Sequence, residues 1–258
     1  MDIVLIGSGN VATVFGRKSF AAGHRIVQVY NRHGSSAEDL AKRLGAKETA
    51  AVSSIERNAD LMIIALRDEA IAPFVRMLGP VKSLVTHTAG ALPINEVRGV
   101  SDRYGVLYPL QSLRKEIEAI PPLSILVDGS EPETTARLKN FATTIAETVV
   151  EADDRTRLQY HLAATFVNNF TNHLFALTAS YCEKENISFA VLQSLIEETV
   201  MRLRSASPDR VQTGPAFRND QATIDKHRHL LREYPVLLGF YNLFTEEIIK
   251  FHSIRKTY

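Results

Sequence analysis

The sequence predicts an α/β fold in two parts: a doubly wound, mainly parallel sheet followed by an all-α domain. Short apolar segments alternate with helical ones up to about residue 151, a glycine-rich turn follows the first apolar segment, and beyond residue 153 the pattern is helical. Strands that alternate with helices form parallel sheets whose ligands bind at the carboxyl ends of the strands. We place the boundary near residue 152, which gives domains 1–152 and 153–258.

The elements of the first domain follow from short apolar runs bounded by polar or glycine residues, a pattern typical of buried parallel strands. We predict strands at 3–6, 25–30, 61–66, 83–86, 104–108, 124–127 and 148–151. We predict helices directly after the glycine-rich turn and at 36–44, 69–78 and 131–146.

The second domain is predicted to be helical. Apolar residues recur every three or four positions between 155 and 185, and this helix is apolar nearly all the way round, so we expect it to be buried. A helix at 188–205 and a loop at 207–219 follow. Asp220 is expected to cap the next helix, and Pro235 suits the first turn of the last one.

The glycine-rich turn predicts a dinucleotide site. It consists of Gly7, Ser8, Gly9, Asn10, Val11 and Ala12. Gly7 permits a tight turn, Gly9 has no Cβ to obstruct phosphates, and Ala12 lets the helix pack close to the strand. Because the turn lies between a strand and a helix, the amides at the helix N-terminus can hold a pyrophosphate.

The residues after the second strand indicate which dinucleotide binds. An NAD site usually has Asp or Glu there, to accept hydrogen bonds from the ribose 2′-hydroxyl. This chain has Asn31, Arg32 and His33, followed by Ser35 and Ser36. A guanidinium matches a 2′-phosphate by charge and geometry, whereas a carboxylate would repel it. We therefore expect NADP(H), with Asn31, Arg32 and Ser35 among the cofactor-binding residues; the alternative is a solvated arginine at a strand end.

Composition excludes several classes of partner. The chain carries 30 Lys and Arg against 29 Asp and Glu, a formal net charge of +1, and has no basic tract to attract nucleic acid or anionic lipid. No apolar run approaches the length of a membrane span, and the single cysteine, Cys182, is read as a packed thiol in a reducing compartment. We expect a cytoplasmic protein.

Metal-binding spacings such as HExxH or CxxC are missing from the sequence, so no metal is predicted.

Four polar residues interrupt the long apolar helix. His161, Thr165, Asn168 and Asn172 are spaced by four, three and four residues and so share one helical face. Imidazole titrates near neutral pH, so His161 is the predicted proton donor, with Thr165 and Asn168 holding a carbonyl or imine and Asn172 contacting the substrate. The alternative is that these polar groups bond the neighbouring domain or a partner helix.

Three loops at predicted strand ends, 66–68, 87–90 and 109–112, are expected beside the nicotinamide. Leu66, Arg67, His87 and Thr88 are predicted cofactor contacts, and Gln111 is a predicted substrate contact. For His87 the alternative is a histidine that closes its own loop onto backbone carbonyls.

A loop in the second domain supplies a further candidate site. Arg218 could hold a substrate carboxylate, and Asp220 is assigned to the substrate with it. The alternative is that Arg218 simply pairs with Asp220 or another acidic residue.

Several motifs together resemble a known group of proteins. They are the glycine-rich turn, Asn31-Arg32, His87-Thr88-Ala89-Gly90, Tyr108-Pro109-Leu110-Gln111-Ser112, Tyr160-His161, and the segment from Thr213-Gly214-Pro215 to Asp220. With these motifs the chain resembles, over nearly its whole length, NADP-dependent oxidoreductases that join a Rossmann-like domain to a helical domain of unknown function. Pyrroline-5-carboxylate reductase, ketopantoate reductase and the β-hydroxyacid dehydrogenases are distant relatives of that group.

The resemblance implies a fold and a cofactor but no substrate. The implied helical domain is like the C-terminal domain of 6-phosphogluconate dehydrogenase. β-Hydroxyacid dehydrogenases carry a catalytic lysine on the corresponding first long helix, one turn before an asparagine. Here residues 156–181 contain no lysine, and Thr165 stands one turn before Asn169. That proton donor therefore cannot be carried over to this chain.

The leading functional hypothesis is an NADP(H)-dependent oxidoreductase that transfers hydride to a C=N or C=O bond of a small metabolite, with a carboxylate as a candidate feature of that metabolite. The alternative is a non-catalytic NADP(H) sensor that acts through its helical domain. Fold alone does not choose between them. A homodimer through the helical domain is expected, because the last helix carries more apolar surface, including Leu238, Phe240 and Leu243, than one neighbouring helix covers.

Overall fold

The computed structural model of the chain describes residues 1–255, without the side chains of residues 34–36 and 254–255. The chain divides into two compact units, Met1–Phe170 and Thr171–Tyr258. The strands of the first unit are β1 (Asp2–Ile6), β2 (Arg25–Tyr30), β3 (Lys47–Thr49), β4 (Leu61–Ile64), β5 (Leu84–His87), β6 (Tyr104–Pro109), β7 (Ser124–Gly129) and β8 (Thr148–Glu151).

Helices follow most of these strands. In the first unit they are α1 (Asn10–Ala21), α2 (Gly34–Leu44), α3 (Asp68–Leu78), α4 (Pro132–Ile145) and α5 (Asp154–Ala164). In the second unit they are α6 (Thr171–Lys184), α7 (Gln193–Arg202), α8 (Pro215–Arg218), α9 (Gln221–Leu230) and α10 (Pro235–Arg255). A π-helical segment spans Thr165–Phe170, and 3₁₀ turns span Val52–Ser54, Ile94–Val100, Phe189–Leu192 and Pro208–Arg210.

The described strands form one eight-stranded sheet in the order β3-β2-β1-β4-β5-β6-β7-β8. Neighbouring strands are parallel except β6 and β7, which are antiparallel. The chain runs outward from β1 in both directions, so the order reverses between β1 and β4. In open α/β sheets a ligand crevice forms at this reversal. The predicted doubly wound, mainly parallel sheet is confirmed.

The register of the central strands aligns their carboxyl ends. Ile6 of β1 lies opposite Ile64 of β4, and Ile64 lies opposite His87 of β5. In the next pair, His87 lies opposite Val106 of β6. The segments that follow these strands therefore begin at one edge of the sheet.

Two apolar cores cover the two faces of the sheet. Ile3 and Leu5 belong to one core, and Val4 and Ile6 belong to the other. This alternation follows from the period of two along a strand. Because both faces are covered, β1 is apolar at successive positions, which is why the sequence shows an unbroken apolar run there.

The long helix of the second half differs from its prediction. Helical structure does run without interruption from Asp154 to Lys184, but Thr165–Phe170 is π-helical. The prediction that this helix is buried is wrong: Leu162, Phe166 and Val167 are all more than half exposed, and Val167 reaches 75%. The apolar pattern of this helix therefore includes side chains that are exposed in the described structure and are not packed in a core.

Within the second unit, α9 and α10 are joined by polar contacts. The Tyr241 hydroxyl lies 3.0 Å from His227 Nδ1, and Arg228 Nε donates to Asn242 Oδ1 at 2.9 Å. Asp220 caps α9 by accepting from the Thr223 amide, and Pro235 is the first residue of α10. The predicted cap and the predicted start of the last helix are therefore confirmed.

Two features of the fold were missed by the sequence prediction. The edge strand β3 was missed because its three residues, Lys47, Glu48 and Thr49, are polar. The antiparallel pairing of β6 with β7 has no signal in either strand's own sequence. The domain boundary near residue 152, just after the end of β8, stays a prediction; the first compact unit continues through α5 and the π-helical segment to Phe170.

Among residues 1–255, no helix combines the length and the apolar character needed to cross a lipid bilayer.

Candidate active site

The glycine-rich turn has the geometry that its residues predict. Gly7 has φ +112°, and a Cβ built there would lie 2.4 Å from the Ala65 carbonyl oxygen. The Gly7 amide donates to the Tyr30 carbonyl at 2.7 Å, which fixes the turn against the end of β2. Ala12 is fully buried under the sheet. A larger residue at position 7 would require both backbone strain and displacement of the β4 end.

The N-terminus of α1 fits the pyrophosphate of a dinucleotide. Gly9 is the N-cap residue, no side chain in the described part of the chain caps the helix, and its first turn contains no acidic residue. A Cβ built at Gly9 would meet no protein atom within 4 Å. The space beside Gly9 at the start of α1 is therefore open, and a phosphate there could accept hydrogen bonds from the first amides of the helix.

Asn31 organises the turn after β2. Its side-chain amide donates to Ser8 Oγ, and its Oδ1 accepts from the His33 amide at 2.9 Å. The predicted Arg32 is exposed beside them. The predicted Ser35 lies outside the residues whose side chains the structure describes. Asn31 thus ties the glycine-rich turn to the segment where the sequence predicts 2′-phosphate recognition.

The segment between β6 and β7 is held against α1. Asn10 Oδ1 accepts from the Lys115 amide at 3.2 Å, and Arg17 donates to the carbonyls of Ile117 and Glu118 at 3.0 and 2.7 Å. The Asn10 side chain therefore supports this segment. Its predicted part in cofactor binding rests on its backbone amide in the first turn of α1.

His87 closes its own loop. Its Nδ1 accepts from the Ala89 amide at 3.2 Å, and its Nε2 lies 3.2 Å from the Pro93 carbonyl oxygen. Burial, reinforced by the nearby positive charge of Arg157, lowers the pKa of His87 to about 4. The ring is therefore neutral at pH 7, with the proton on Nε2. This arrangement is the alternative given for His87, a histidine that closes its own loop onto backbone carbonyls.

The predicted proton donor His161 is paired with Tyr108, a residue that sequence reasoning missed. The Tyr108 hydroxyl lies 2.8 Å from His161 Nδ1, and the two rings meet edge to face at 5.7 Å between centroids. Tyr108 lies near the carboxyl end of β6, and His161 lies in α5. Burial, with a smaller contribution from the Asp68 carboxylate, raises the pKa of Tyr108, so its phenol is protonated at neutral pH.

Gly90 makes this pairing possible. A Cβ at Gly90 would lie 2.8 Å from His161 Nδ1 and 2.9 Å from two Tyr108 ring carbons. The loop after β5 therefore packs its backbone directly against the pair. Like the predicted loop residues, Tyr108 lies at the carboxyl end of a predicted strand. This position is the signal that could have identified Tyr108 from the sequence.

The pair lies at a cavity of about 460 Å³ within the first unit. The cavity's polar wall includes Gln111, Ser112, Thr165 and Asn168. Asn168 Nδ2 donates to Ser112 Oγ at 2.6 Å, and Thr165 Oγ1 donates to the His161 carbonyl at 3.0 Å. The structure thus brings three predicted catalytic residues, His161, Thr165 and Asn168, to one cavity.

The other predicted residues have varied surroundings. Gln111 Nε2 donates weakly to the Pro122 carbonyl at 3.3 Å, and Thr88 is buried. Leu66 is partly exposed in the segment after β4, and Arg67 is exposed and forms an ion pair with Glu69 at 3.2 Å. All of these residues follow the carboxyl ends of strands, as predicted.

Three predicted substrate residues belong to the second unit. Asn172 and Arg218 are exposed there. Thr223, with a smaller contribution from the Arg218 charge, lowers the pKa of Asp220, which is already occupied as a helix cap. Their part in substrate binding stays a prediction. Across the described residues, no cluster of three or more His, Cys, Asp or Glu side chains could hold a metal ion.

Two family profiles match the chain. Residues 2–90 match the family described as NADP oxidoreductase, coenzyme F420-dependent, and residues 123–248 match a domain of unknown function, DUF2520. No curated protein sequence matches the chain. The fold and the matched N-terminal family define a dinucleotide-dependent oxidoreductase.

Solved structures identify the family more closely. A Bacteroides fragilis protein assigned as an NADP oxidoreductase is 37% identical, with 96% of this chain and 98% of that chain covered and a TM-score of 0.87. At that identity and coverage, the chain belongs to this family of NADP-dependent oxidoreductases. The predicted family is therefore confirmed, and with it NADP(H) as the family's cofactor.

More distant structures share the fold. A reductive aminase from Aspergillus terreus, in complex with NADPH and ethyl-5-oxohexanoate, is 16% identical, with 96% and 94% of the two chains covered and a TM-score of 0.69. A 1-pyrroline-5-carboxylate reductase from Streptococcus pyogenes is 13% identical, with 97% and 98% covered and a TM-score of 0.67. These two likenesses concern the fold.

The geometry of Gly9 leads to a test of the cofactor site. Gly9→Ala should leave the free energy of unfolding unchanged within about 0.5 kcal/mol, because the new methyl group meets no atom. It should weaken NADPH binding at least about tenfold, because the methyl group occupies space that a phosphate would take. Titration calorimetry and chemical denaturation measure the two quantities. Gly7→Ala is the contrasting variant and should lose about 2 kcal/mol of stability. Unchanged NADPH affinity in Gly9→Ala would contradict this site.

The lowered pKa of His87 predicts a pH dependence of stability. Above pH 6.5 the ring is neutral in both the folded and the unfolded state, so it makes no difference. Between pH 6.5 and about 4 the unfolded chain gains a proton that the folded chain does not, so stability falls as the pH falls, by about 3 kcal/mol in all. Urea unfolding at several pH values measures the loss. His87→Gln should flatten the profile in this range, whereas the exposed His173→Gln should not.

Proposed function

We propose that the chain is an NADP(H)-dependent reductase that acts on a C=N or C=O bond of a small metabolite. The observation that carries this proposal is the hydrogen bond of 2.8 Å between Tyr108 and His161 at the wall of a cavity of substrate size. A reductase of this kind needs a proton donor beside the reacting bond, and the cofactor supplies the hydride when it is bound.

The pair can deliver a proton through His161 Nε2. Tyr108 keeps its proton at neutral pH and occupies His161 Nδ1, which leaves Nε2 as the nitrogen that faces a substrate. An imidazolium at this position donates its Nε2 proton to the nitrogen or oxygen of the reduced bond and becomes neutral. The neutral ring that is left keeps its remaining proton on Nδ1, which donates to the Tyr108 hydroxyl oxygen.

Thr165 and Asn168 supply the polar groups that orient the substrate. Both line the same cavity as the pair, and the bond from Asn168 to Ser112 leaves the Asn168 carbonyl oxygen available as an acceptor. An iminium or a protonated amine would be a suitable donor to that oxygen. As a separate proposal, Arg218 binds a carboxylate, because a guanidinium pairs with carboxylates in bidentate fashion.

For cofactor binding we assign the first amides of α1 to the pyrophosphate and Arg32 to the 2′-phosphate. Support comes from the open space at Gly9 and from the ordering of the adjacent turn by Asn31. We also propose a cytoplasmic location and a homodimer through the helical domain. Support for the homodimer comes from the second unit, where Leu230, Val236 and Leu243 are each more than half exposed.

The assignment of Arg32 predicts cofactor preference. Arg32→Ala should weaken NADPH binding about tenfold or more and leave NADH binding nearly unchanged, because only NADPH carries the 2′-phosphate that the guanidinium pairs with. Fluorescence titration with both reduced nucleotides measures this. Arg76→Ala, which removes an exposed arginine of α3 that is not among the predicted cofactor contacts, is the control. Parallel weakening of both nucleotides in Arg32→Ala would contradict the assignment.

The proton-donor assignment predicts the kinetics of variants. His161→Asn should lower NADPH-dependent turnover about 100-fold, and Tyr108→Phe should lower it less, because the phenol only orients the donor. NADPH affinity should stay unchanged in both. Turnover is measured across a panel of 2-keto acids and cyclic imines. His227→Asn is the control, since His227 makes the equivalent contact with Tyr241 in the second unit.

The outcome of that panel also separates the enzyme from a sensor. Turnover that survives in His161→Asn would remove His161 from the mechanism. Tight NADPH binding without turnover of any compound in the panel would favour the non-catalytic sensor.

The homodimer predicts a solution mass of twice the chain mass of 28.7 kDa at micromolar concentration. Light scattering measures it. Leu243→Glu in α10 should shift the mass towards the monomer, because a carboxylate is costly to bury in an apolar interface. A monomeric mass for the unmodified protein would overturn the proposal.

A further inference from the structure

The first unit contains a buried arginine that the proposed reaction does not use. Arg157 lies in α5, is 1% exposed, and is the largest of the fully buried side chains in the described residues. Its Nη2 donates to the Leu92 carbonyl at 2.5 Å and to Asp154 Oδ1 at 2.6 Å. Its Nε and Nη1 have no hydrogen-bond partner among the described residues.

Arg157 belongs to a set of contacts that fixes three successive residues of the segment after β5. Leu92 is held through its carbonyl by Arg157, and Pro93 is held through its carbonyl by His87. Ile94 is held through its amide, which donates to Asp154 Oδ1 at 2.8 Å. The same carboxylate oxygen therefore accepts from both Arg157 and Ile94. These contacts fasten the N-terminal part of α5 to the segment after β5.

The same segment carries Gly90, against which the Tyr108–His161 pair packs. Arg157 and His161 are four residues apart in α5, so they lie on one face of the helix, one turn from each other. Arg157 holds the segment at Leu92, and His161 contacts it at Gly90. The contacts of the Arg157 guanidinium therefore fix the spacing between α5 and the segment after β5, one helical turn away from the Tyr108–His161 pair.

Stability alone does not account for a charge at this position. A buried ion pair loses about as much in desolvation as it gains in attraction, and well-packed apolar replacements are often as stable or more so. Two of the Arg157 nitrogens have no partner within the described part of the chain, and its carboxylate partner Asp154 is partly exposed. The specific consequence of this side chain is the placement of α5 against the loop.

We propose that Arg157 is a positioning residue for the Tyr108–His161 pair. By fastening α5 to the segment after β5, it holds His161 Nδ1 at hydrogen-bond distance from the Tyr108 hydroxyl and over Gly90. The link to catalysis rests on the proposed function, whereas the placement of the pair can be tested without a substrate.

The test replaces Arg157 with methionine, which has similar length and no hydrogen-bond donors. In the unmodified protein, ¹⁵N NMR of the histidine rings should show His161 in a single tautomer, because Nδ1 is held by the Tyr108 hydroxyl; His161→Asn assigns the signal. In Arg157→Met the His161 signals should move and report a mixture of tautomers. Turnover should fall roughly tenfold or more, since small misplacements of a reacting group are costly, while KM for NADPH stays unchanged.

Two further variants sharpen the test. Arg157→Lys keeps the charge but ends one bond short of the position of Nη2, the nitrogen that donates to both Leu92 and Asp154, so the tautomer mixture should persist. If the methionine variant does not fold, the lysine variant decides by the same signals. Arg103→Met is the matched control: it removes another arginine that donates to a backbone carbonyl, that of Lys82, and it should leave the His161 signals unchanged.

A purely structural arginine gives a different result. In that case Arg157→Met would lower the melting temperature, while the His161 tautomer and the turnover of the folded protein stayed unchanged, and the proposal would be overturned. Failure of the proposed function is distinguishable, because it appears as full turnover in His161→Asn, whatever happens to the NMR signals in Arg157→Met.

Discussion

The site depends on the alignment of parallel strands. Ile6, Ile64 and His87 lie in register across β1, β4 and β5, so the segments that follow begin at one edge of the sheet. The turn at Gly7 can then pack against the carbonyl of Ala65 only because it has no side chain. Residues far apart in sequence become neighbours through hydrogen bonds of the sheet, and the loops themselves need little structure of their own.

A second constraint joins the helical segment to this edge. His161 reaches Tyr108 across the backbone of Gly90, where no Cβ could be accommodated. The π-helical segment begins one turn after His161 and carries Asn168 to its bond with Ser112. Such segments are frequent at functional sites, since an added residue re-aims side chains that an α-helix would direct elsewhere. The polar wall of the cavity is therefore built from helix and strand ends together.

Burial determines the protonation states of two residues at the site, His87 and Tyr108. It lowers the pKa of His87 and raises that of Tyr108, so each residue is neutral at physiological pH. The neutral His87 ring bonds its own loop, and the neutral phenol bonds His161. These two groups are thereby committed to structure, and of the aromatic and imidazole groups at this edge of the sheet, His161 is the one whose proton we assign to chemistry.

The sequence by itself determined the doubly wound sheet, the glycine-rich turn, the family and three cavity residues, His161, Thr165 and Asn168. The family rests on the resemblance of several motifs to a known group, and the rest follows from local patterns: strand-length apolar runs, glycine where φ is positive, and the spacing of polar residues on a helix. Only the tertiary structure decided that Tyr108 pairs with His161, that His87 closes its loop, and that the long helix is π-helical at its middle and exposed. Each of these depends on contacts between residues distant in the chain or on surface left uncovered, and neither leaves a local pattern in the sequence.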